Sequence, residues 1–122
     1  RSMTETTPAE KLRIYQETLE LVKLIYRLCR KFPKEELFSL TDQLKRAASS
    51  ILLNIAESQG RSTNKDKISF LMNSRGSIYE VIAILDIAES QLFISSQEKE
   101  TARQKLFSIL KQLNSLISYY RR

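Results

Sequence analysis

Residues 40–60 read LTDQLKRAASSILLNIAESQG and carry apolar side chains at the spacing of one helical face. Apolar positions recur three or four residues apart, which indicates an amphipathic helix rather than a strand. Gly60 follows the periodic segment, and glycine commonly ends helices. We therefore predict a helix over about Leu40–Gln59, with small residues at the contact with a neighbouring helix. The apolar stripe comprises Leu40, Leu44, Ala47, Ala48, Ile51 and Ile55.

The same periodicity predicts three further helices. Thr7 and Pro8 have the pattern of a helix start, with Thr7 as the cap, Pro8 at the first helical position and Glu10 able to complete a capping box. Pro33 stops this first helix, because the residue before a proline disfavours the helical conformation. Ser95 and Glu98 form a capping box ahead of the last helix. The predicted spans are about residues 8–31, 64–93 and 96–120, and Thr63 or Asn64 can cap the second of these.

The first helix carries two apolar stripes side by side, which together are wider than one helix–helix seam needs. Either this helix sits centrally in the bundle, or part of its apolar face meets another subunit. One stripe comprises Leu12, Tyr15, Leu19, Val22, Tyr26 and Cys29, and the other comprises Leu21, Ile25, Leu28 and Phe32.

Length and composition favour one all-α domain. The chain has 122 residues, 42% of them apolar, with only two glycines and two prolines, too few turn residues for a β-sandwich or barrel. Four helices with short connections predict an antiparallel up-down-up-down four-helix bundle over residues 8–122. We expect residues 1–7 to be a flexible N-terminus, with Arg1 and Ser2 an artificial extension before a natural start at Met3.

The residue types exclude several chemistries. The chain has no histidine and one cysteine, Cys29, so we expect no internal disulfide, no Cys/His zinc site and no Ser–His or Cys–His catalysis. We predict no enzymatic activity, no catalytic residues, no metal and no cofactor. No apolar run approaches the length of a membrane span, and no signal peptide is recognisable. We therefore expect a cytoplasmic protein without a membrane partner.

The formal net charge is +6, which favours anionic partners, above all nucleic acid. Residues 23–34 contain five basic residues and no acidic one. No base-reading module is recognisable, so any binding is expected to be to RNA or DNA backbone and to weaken steeply with salt. An ordinary solvated face is the alternative. The candidate nucleic-acid-binding residues are Lys23, Arg27, Arg30, Lys31, Arg103, Lys105, Lys111, Arg121 and Arg122.

A few polar residues flank the predicted contact between the second and third helices. We expect a structural polar cluster that fixes helix register or an oligomer contact, because a buried carboxylate is costly unless it is paired. A paired-carboxylate metal site is the less favoured alternative. We assign Arg46 and Gly76 to an oligomer interface or to packing, since glycine inside a helix often marks close approach of another helix. The cluster comprises Asn54, Glu57, Arg75, Ser77 and Glu80.

Three segments together resemble a bacterial family of four-helix-bundle proteins. They are FPKEELFSL (residues 32–40), QLKRAASSILLNIAESQGR (residues 43–61) and SFLMNSRGSIYE (residues 69–80). The family is that of the 23S rRNA intervening-sequence proteins, some of which are encoded in insertions of ribosomal RNA genes. The accessory protein of diversity-generating retroelements is a relative. The resemblance implies a homo-oligomer, expected to be a homopentameric ring, and nucleic-acid association in the retroelement relatives.

The sequence thus predicts a non-enzymatic, homo-oligomeric bundle that binds nucleic acid and is a possible partner of a nucleic-acid-handling enzyme. The alternative is a structural or protein-interaction oligomer with no nucleic-acid role.

Overall fold

The computed structural model describes residues 5–122, which fold into four long α-helices and, within that range, no β-strand. The helices are α1 (Arg13–Cys29), α2 (Leu40–Gln59), α3 (Asn64–Ser90) and α4 (Ser96–Arg121). Two short 3-10 turns, Ala9–Lys11 and Lys34–Glu36, precede α1 and α2 respectively. The predicted all-α class is confirmed. None of the helices in the described range combines the length and hydropathy needed to cross a membrane.

Cross-helix hydrogen bonds establish that neighbouring helices run antiparallel. Between α2 and α3, Ser58 is linked to Lys67 and Ile51 to Ser74. Between α1 and α4, Glu17 is linked to Gln112 and Lys31 to Glu98, so the numbers again run in opposite directions. Because α1 also packs against both α2 and α4, the four helices close into an up-down-up-down bundle.

The core lies on the predicted apolar faces, and every helix contributes to it. Leu21, Ile25, Leu28 and Phe32 of the second α1 stripe are all buried. The first α1 stripe is covered less completely, because Tyr26 remains 41% exposed and Val22 is only partly buried. The largest fully buried side chains are Leu21, Ile25, Leu44, Ile51, Ile55, Leu71, Ile78, Leu85, Leu106, Ile109, Leu113 and Ile117.

The helix ends follow local chemistry. α2 has the predicted bounds, although Gly60 has an ordinary helical φ of −87° and so does not use its freedom to adopt positive φ. The Thr63 hydroxyl caps α3, and Ser95 and Glu98 form the predicted capping box of α4. α3 ends at Ser90 rather than near Phe93, because Leu92 adopts a left-handed φ of 65°.

The start of α1 differs from the prediction. Thr7 and Glu10 exchange the expected capping hydrogen bonds, but they close only the 3-10 turn Ala9–Lys11. Leu12 then has an extended backbone, and α1 begins at Arg13. Periodicity could not reveal this break, because Leu12 still packs against the core. Of the N-terminal segment expected to be flexible, residues 1–4 lie outside the described residues.

Small residues at the α2–α3 contact behave as predicted, but Gly76 does not. Ala47 and Ala48 are buried, and the Ser74 hydroxyl reaches the Ile51 carbonyl of α2. Gly76 is exposed on α3, and a Cβ atom added there would meet nothing within 4 Å. The prediction that Gly76 serves packing within the chain is therefore wrong. Its role in a contact between copies stays a prediction.

Candidate nucleic-acid interface

The outer side of α1 carries the clearest basic surface of the described chain. Lys23, Arg27 and Arg30 lie one helical turn apart and face solvent, as their spacing predicts. Together with Val22 and Tyr26 they line a shallow groove of about 430 Å³, and no carboxylate lines it. Lys23 pairs with the exposed Glu20 at 3.0 Å, and this ion pair takes up part of its charge.

This basic surface continues onto α2 through Tyr26. The Lys45 Nζ atom lies 5.1 Å from the centroid of the Tyr26 ring. A second groove, of about 480 Å³, is lined by Tyr26 and, on α2, by Lys45, Arg46 and Asp42 among others. Arg46 is bonded to Asp42 at 2.9 Å. We call the surface formed by Lys23, Arg27, Arg30, Lys45 and Arg46 around Tyr26 the α1–α2 basic face.

Sequence reasoning missed Lys45 and gave its neighbour Arg46 another role. The sequence places both in α2, but their position beside Tyr26 depends on the register between α1 and α2. The Lys45 ammonium group is attracted to the face of the tyrosine ring, and the residue is only partly buried. The structure brings Arg46 beside Lys45 and places it away from the contact between helices.

Lys31 does not belong to the same surface. Its ammonium group binds the carboxylate of Glu98 in the first turn of α4, where Glu98 also accepts the main-chain N–H of Ser95. The hydrogen bond from Lys31, followed by the one from Ser95, holds the pKa of Glu98 below its usual value of 4.5. Lys31 therefore ties α1 to α4.

One of the predicted basic residues in the middle of α4, Lys105, lies near carboxylates. Lys105 lines a groove of about 550 Å³ between α1 and α4, which Glu17 and Glu20 also line. Glu17 accepts hydrogen bonds from Ser108 and Gln112, and the bond from Arg13 is the main reason that its pKa is lowered. An anionic backbone along this groove would meet two carboxylates. Lys111 lines the next groove toward the chain's C-terminal end.

The remaining α4 residues are placed elsewhere. The Arg103 guanidinium lies 5.1 Å from the Phe107 ring centroid. Arg121 and Arg122 lie at the end of α4. Arg30 lies near the opposite end of that helix, because its neighbour Lys31 contacts Glu98 in the first turn of α4. Twenty-three residues separate Glu98 from Arg121, or roughly 35 Å along the bundle. The nine predicted residues therefore do not form one patch.

The predicted polar cluster forms only in part. Asn54 donates to the Ser50 carbonyl at 2.9 Å and lies 3.0 Å from the Ser50 hydroxyl. Ser77 of α3 donates to the same Ser50 hydroxyl at 2.9 Å. Asn54 and Ser77 are thus joined through Ser50, which sequence reasoning did not identify. Ser50 shares the α2 flank with Asn54, one turn earlier, and that spacing is the signal that would have found it.

Glu57, Arg75 and Glu80 do not join this cluster. Glu57 pairs with Arg61, four residues later, at 2.8 Å. Arg75 points toward α4 and donates to the Asn114 side chain at 3.0 Å. Glu80 is exposed on α3. The prediction of one five-residue cluster is wrong, because Glu57 finds a partner one turn away, Arg75 turns to α4 and Glu80 faces solvent.

No metal centre is assembled by the described residues. Across residues 5–122, no group of three or more His, Cys, Asp or Glu side chains is arranged to hold a metal ion. Cys29 is buried, and this burial raises the pKa of its thiol. The chemistry that the surface offers is therefore that of paired and unpaired cations, with aromatic rings between them.

Comparison with solved structures identifies the fold independently. The chain is similar to a crystal structure of a protein of unknown function from the S23 ribosomal protein family of Bacteroides thetaiotaomicron VPI-5482. The two share 23% identity and a TM-score of 0.79, over 85% of this chain and 97% of the other. No curated protein matches the chain.

The family assignment rests on the sequence itself. Residues 10–115, which include all of α1, α2 and α3 and most of α4, match the family described as 23S rRNA-intervening sequence protein. The match includes the three segments on which the resemblance was based. The chain belongs to the 23S rRNA-intervening sequence protein family.

Proposed function

We propose that this protein is a non-enzymatic, self-associating four-helix bundle that binds the sugar-phosphate backbone of RNA or DNA through its α1–α2 basic face. The observation that carries the proposal is the α1 groove, which Lys23, Arg27 and Arg30 line without any carboxylate. Within residues 5–122, Arg27 and Arg30 have no ion-pair partner. Their charges are therefore available to an external anion.

The shape of this face favours backbone contacts over base reading. Lys23, Arg27 and Arg30 follow one another at intervals of three or four residues, or roughly 5–6 Å along the helix. Adjacent phosphates are separated by a similar distance, so the three cations can follow one strand of a duplex. Such contacts release counterions and carry no sequence information.

A salt titration tests the proposal. We expect a fluorescently labelled RNA duplex of about 20 base pairs to bind at low salt. Affinity should fall roughly 150- to 500-fold between about 50 mM and 200 mM salt, because four or five phosphates are neutralised. The double variant Arg27→Glu/Arg30→Glu should weaken binding at least tenfold and reduce the salt slope by about two.

A matched control separates local binding from net charge. The double variant Arg103→Glu/Lys111→Glu changes the formal charge by the same amount on α4, at residues that line neither groove of the α1–α2 basic face. It should retain most of the affinity. Equal loss in both double variants would indicate unspecific attraction to a basic protein. Absence of wild-type binding at the lower salt concentration would contradict the proposal.

Self-association is the second element of the proposal. α3 leaves Tyr79 54% exposed and Ile87 48% exposed, and Gly76 lies on the same helix with open space beside it. Large exposed apolar side chains near a helix position without a Cβ suit the close approach of another copy. The family resemblance adds the expectation of a five-membered ring.

A protein-interaction oligomer without a nucleic-acid role is the second candidate function. The same exposed α3 residues, with Leu53 of α2 at 65% exposure, favour it. This candidate predicts assembly without any salt-dependent nucleic-acid binding. The titration described above therefore distinguishes the two.

A further inference from the structure

One end of the bundle carries three aromatic rings, each beside a cation. At this end α2 and α4 finish and α3 begins. Every pairing lies within the range of cation–π attraction. The cation-to-centroid distances are 4.5 Å for Arg61 over Phe70, 5.8 Å for Lys67 over Tyr120 and 5.9 Å for Arg122 over Tyr119. We call these six residues the aromatic end.

Hydrogen bonds hold part of the aromatic end in place. The Gln59 side chain donates to the Tyr120 hydroxyl at 3.0 Å, which attaches the end of α4 to the end of α2. The Lys67 ammonium group donates to the Ser58 carbonyl at 3.3 Å. The Tyr119 and Tyr120 rings meet edge to face with centroids 5.2 Å apart. Tyr120 is thus fixed to the bundle, and Tyr119 packs on it.

Tyr119 is the ring left open to solvent. It is 60% exposed although it contacts a second tyrosine, so part of its surface has no protein neighbour. An exposed aromatic ring can stack on a nucleobase, and this contact tolerates any base because every base has a π-face. The distance of 5.9 Å places Arg122 near the outer limit of a cation–π contact. A base can therefore stack on Tyr119 while the guanidinium turns to a phosphate.

The charge at this end also suits an anion. Arg61 is paired with Glu57, which takes up part of its charge. Lys67 and Arg122 have no carboxylate partner among the residues that the structure describes. Lys65 and Arg121 add two more exposed cations, against the exposed Asp66 at the start of α3. The balance at the aromatic end is positive.

We infer that the aromatic end is a second nucleic-acid site, specific for single strands. A duplex keeps its bases stacked inside and offers only phosphates to this surface. A single strand offers both phosphates and unstacked bases, which the cations and Tyr119 can bind together. This inference rests on the proposed nucleic-acid function but uses a site separate from the α1–α2 basic face.

Binding of a labelled oligothymidylate of about 12 nucleotides tests the inference. Tyr119→Leu should weaken its binding roughly tenfold, because one base–aromatic stack is lost. Affinity for an RNA duplex should stay within about twofold, since the α1–α2 basic face is unchanged. Phe38→Leu is the matched control, because Phe38 is 92% exposed in the connection between α1 and α2. It should leave both affinities unchanged.

A second variant reports binding directly, through a fluorescence signal, rather than through a loss of affinity. The chain has no tryptophan, so Tyr119→Trp introduces a single fluorescent indole at the site. Oligothymidylate should quench this fluorescence at the concentrations at which it binds, while polyglutamate should not. Equal quenching by polyglutamate would indicate an acidic-peptide site and would overturn the inference.

The outcomes separate this inference from the proposed function. If the wild-type protein binds neither duplex nor single strand, the proposed function fails and this site fails with it. If both bind and Tyr119→Leu changes neither affinity, only the single-strand site is overturned.

Discussion

The Ser74 hydroxyl on α3 donates a hydrogen bond of 2.8 Å to the main-chain carbonyl oxygen of Ile51 on α2. Both residues are fully buried. A side chain as short as serine can reach the backbone of another helix only where the two helices approach closely. Ala47, one turn before Ile51 on α2, is buried and has a small side chain that suits this approach. The Ser74 hydrogen bond therefore marks a point of close contact between α2 and α3.

The Ser74 contact predicts two graded losses of stability. Ser74→Ala should lower the free energy of unfolding by about 1 kcal/mol, because one buried hydrogen bond is removed. Ser74→Leu should lower it by about 3 kcal/mol or more, since no space exists for the larger side chain. Urea denaturation measures both. Ser118→Leu, at an exposed position of α4, should change stability by less than about 0.5 kcal/mol. A tolerated Ser74→Leu would contradict the close contact.

Gly76 offers a test of where copies of the chain meet. Gly76→Ala should raise the free energy of unfolding by about 0.5–1 kcal/mol, because the position is helical and open. Urea denaturation of the dissociated protein gives this value. Light scattering of the same variant, and of Gly76→Leu, reports assembly. A smaller mass for the leucine variant places Gly76 at a contact between copies, and an unchanged mass argues against that placement.

Leu92 adopts a φ of 65° while 89% of its surface is exposed. A leucine in this left-handed conformation costs about 1 kcal/mol, and no burial offsets the cost. Leu92→Gly should therefore stabilise the protein by roughly 0.5–1 kcal/mol in thermal or urea denaturation. Its neighbour Gln91 has a negative φ of −90°, so Gln91→Gly should be destabilising instead. Equal effects of the two variants would contradict the assigned backbone conformation.

Acid should weaken the bundle through its bonded carboxylates. The pKa values of Glu17, Glu89 and Glu98 are lowered mainly by hydrogen bonds from Arg13, Lys99 and Lys31 respectively. A lowered pKa in the folded state means that the stabilisation is complete above the ordinary value of 4.5 and is lost as pH falls below it. Melting temperature should thus be nearly constant from about pH 6 to 7 and decline below about pH 4.5.

A single substitution tests which carboxylates cause this decline. Glu98→Gln should lower the melting temperature near neutral pH, because the contact with Lys31 is weakened. The variant should then lose less stability on acidification than the wild type. Glu80→Gln is the control, since it removes the same charge at an exposed position of α3. Identical acid profiles for Glu98→Gln and the wild type would contradict the assignment.

Ile87 is the probe for self-association. Ile87→Lys places a charge on an exposed part of α3 and should leave the folded protomer intact. If copies meet through this helix, the mass from light scattering at micromolar concentration should fall toward the 14.2 kDa protomer. Ser118→Lys supplies the same charge on α4 and should leave the mass unchanged. An unchanged mass for Ile87→Lys would contradict a contact between copies through Ile87.

The sequence was sufficient for features that depend on one helix at a time. The apolar period in residues 40–59 determined α2 to the residue, and the Ser95–Glu98 capping box determined the start of α4. The end of α3 was less predictable, because it depends on the backbone conformation of Leu92. The break at Leu12 was likewise hidden, since its side chain keeps the apolar period.

Features that depend on register between helices were not predictable in the same way. A helical pattern places Asn54 and Glu57 on one flank, but it does not specify which residue of the neighbouring helix each will meet. A partner on the same stretch of chain can compete with one on the neighbouring helix. Glu57, for example, pairs with Arg61 one turn away. The basic residues of α4 were predicted to act together because they share a sign of charge. The bundle instead spreads them along its length and places Glu17 and Glu20 beside Lys105.

The single cysteine gives this protein an internal reporter of opening. Cys29 is 6% exposed, and burial raises the pKa of its thiol, so the native state protects it from alkylating and disulfide-exchange reagents in two ways. Modification must then await a fluctuation that separates α1 from its neighbours. Labelling kinetics at this one sulfur atom would therefore report how often the closed bundle opens locally, without any engineered probe.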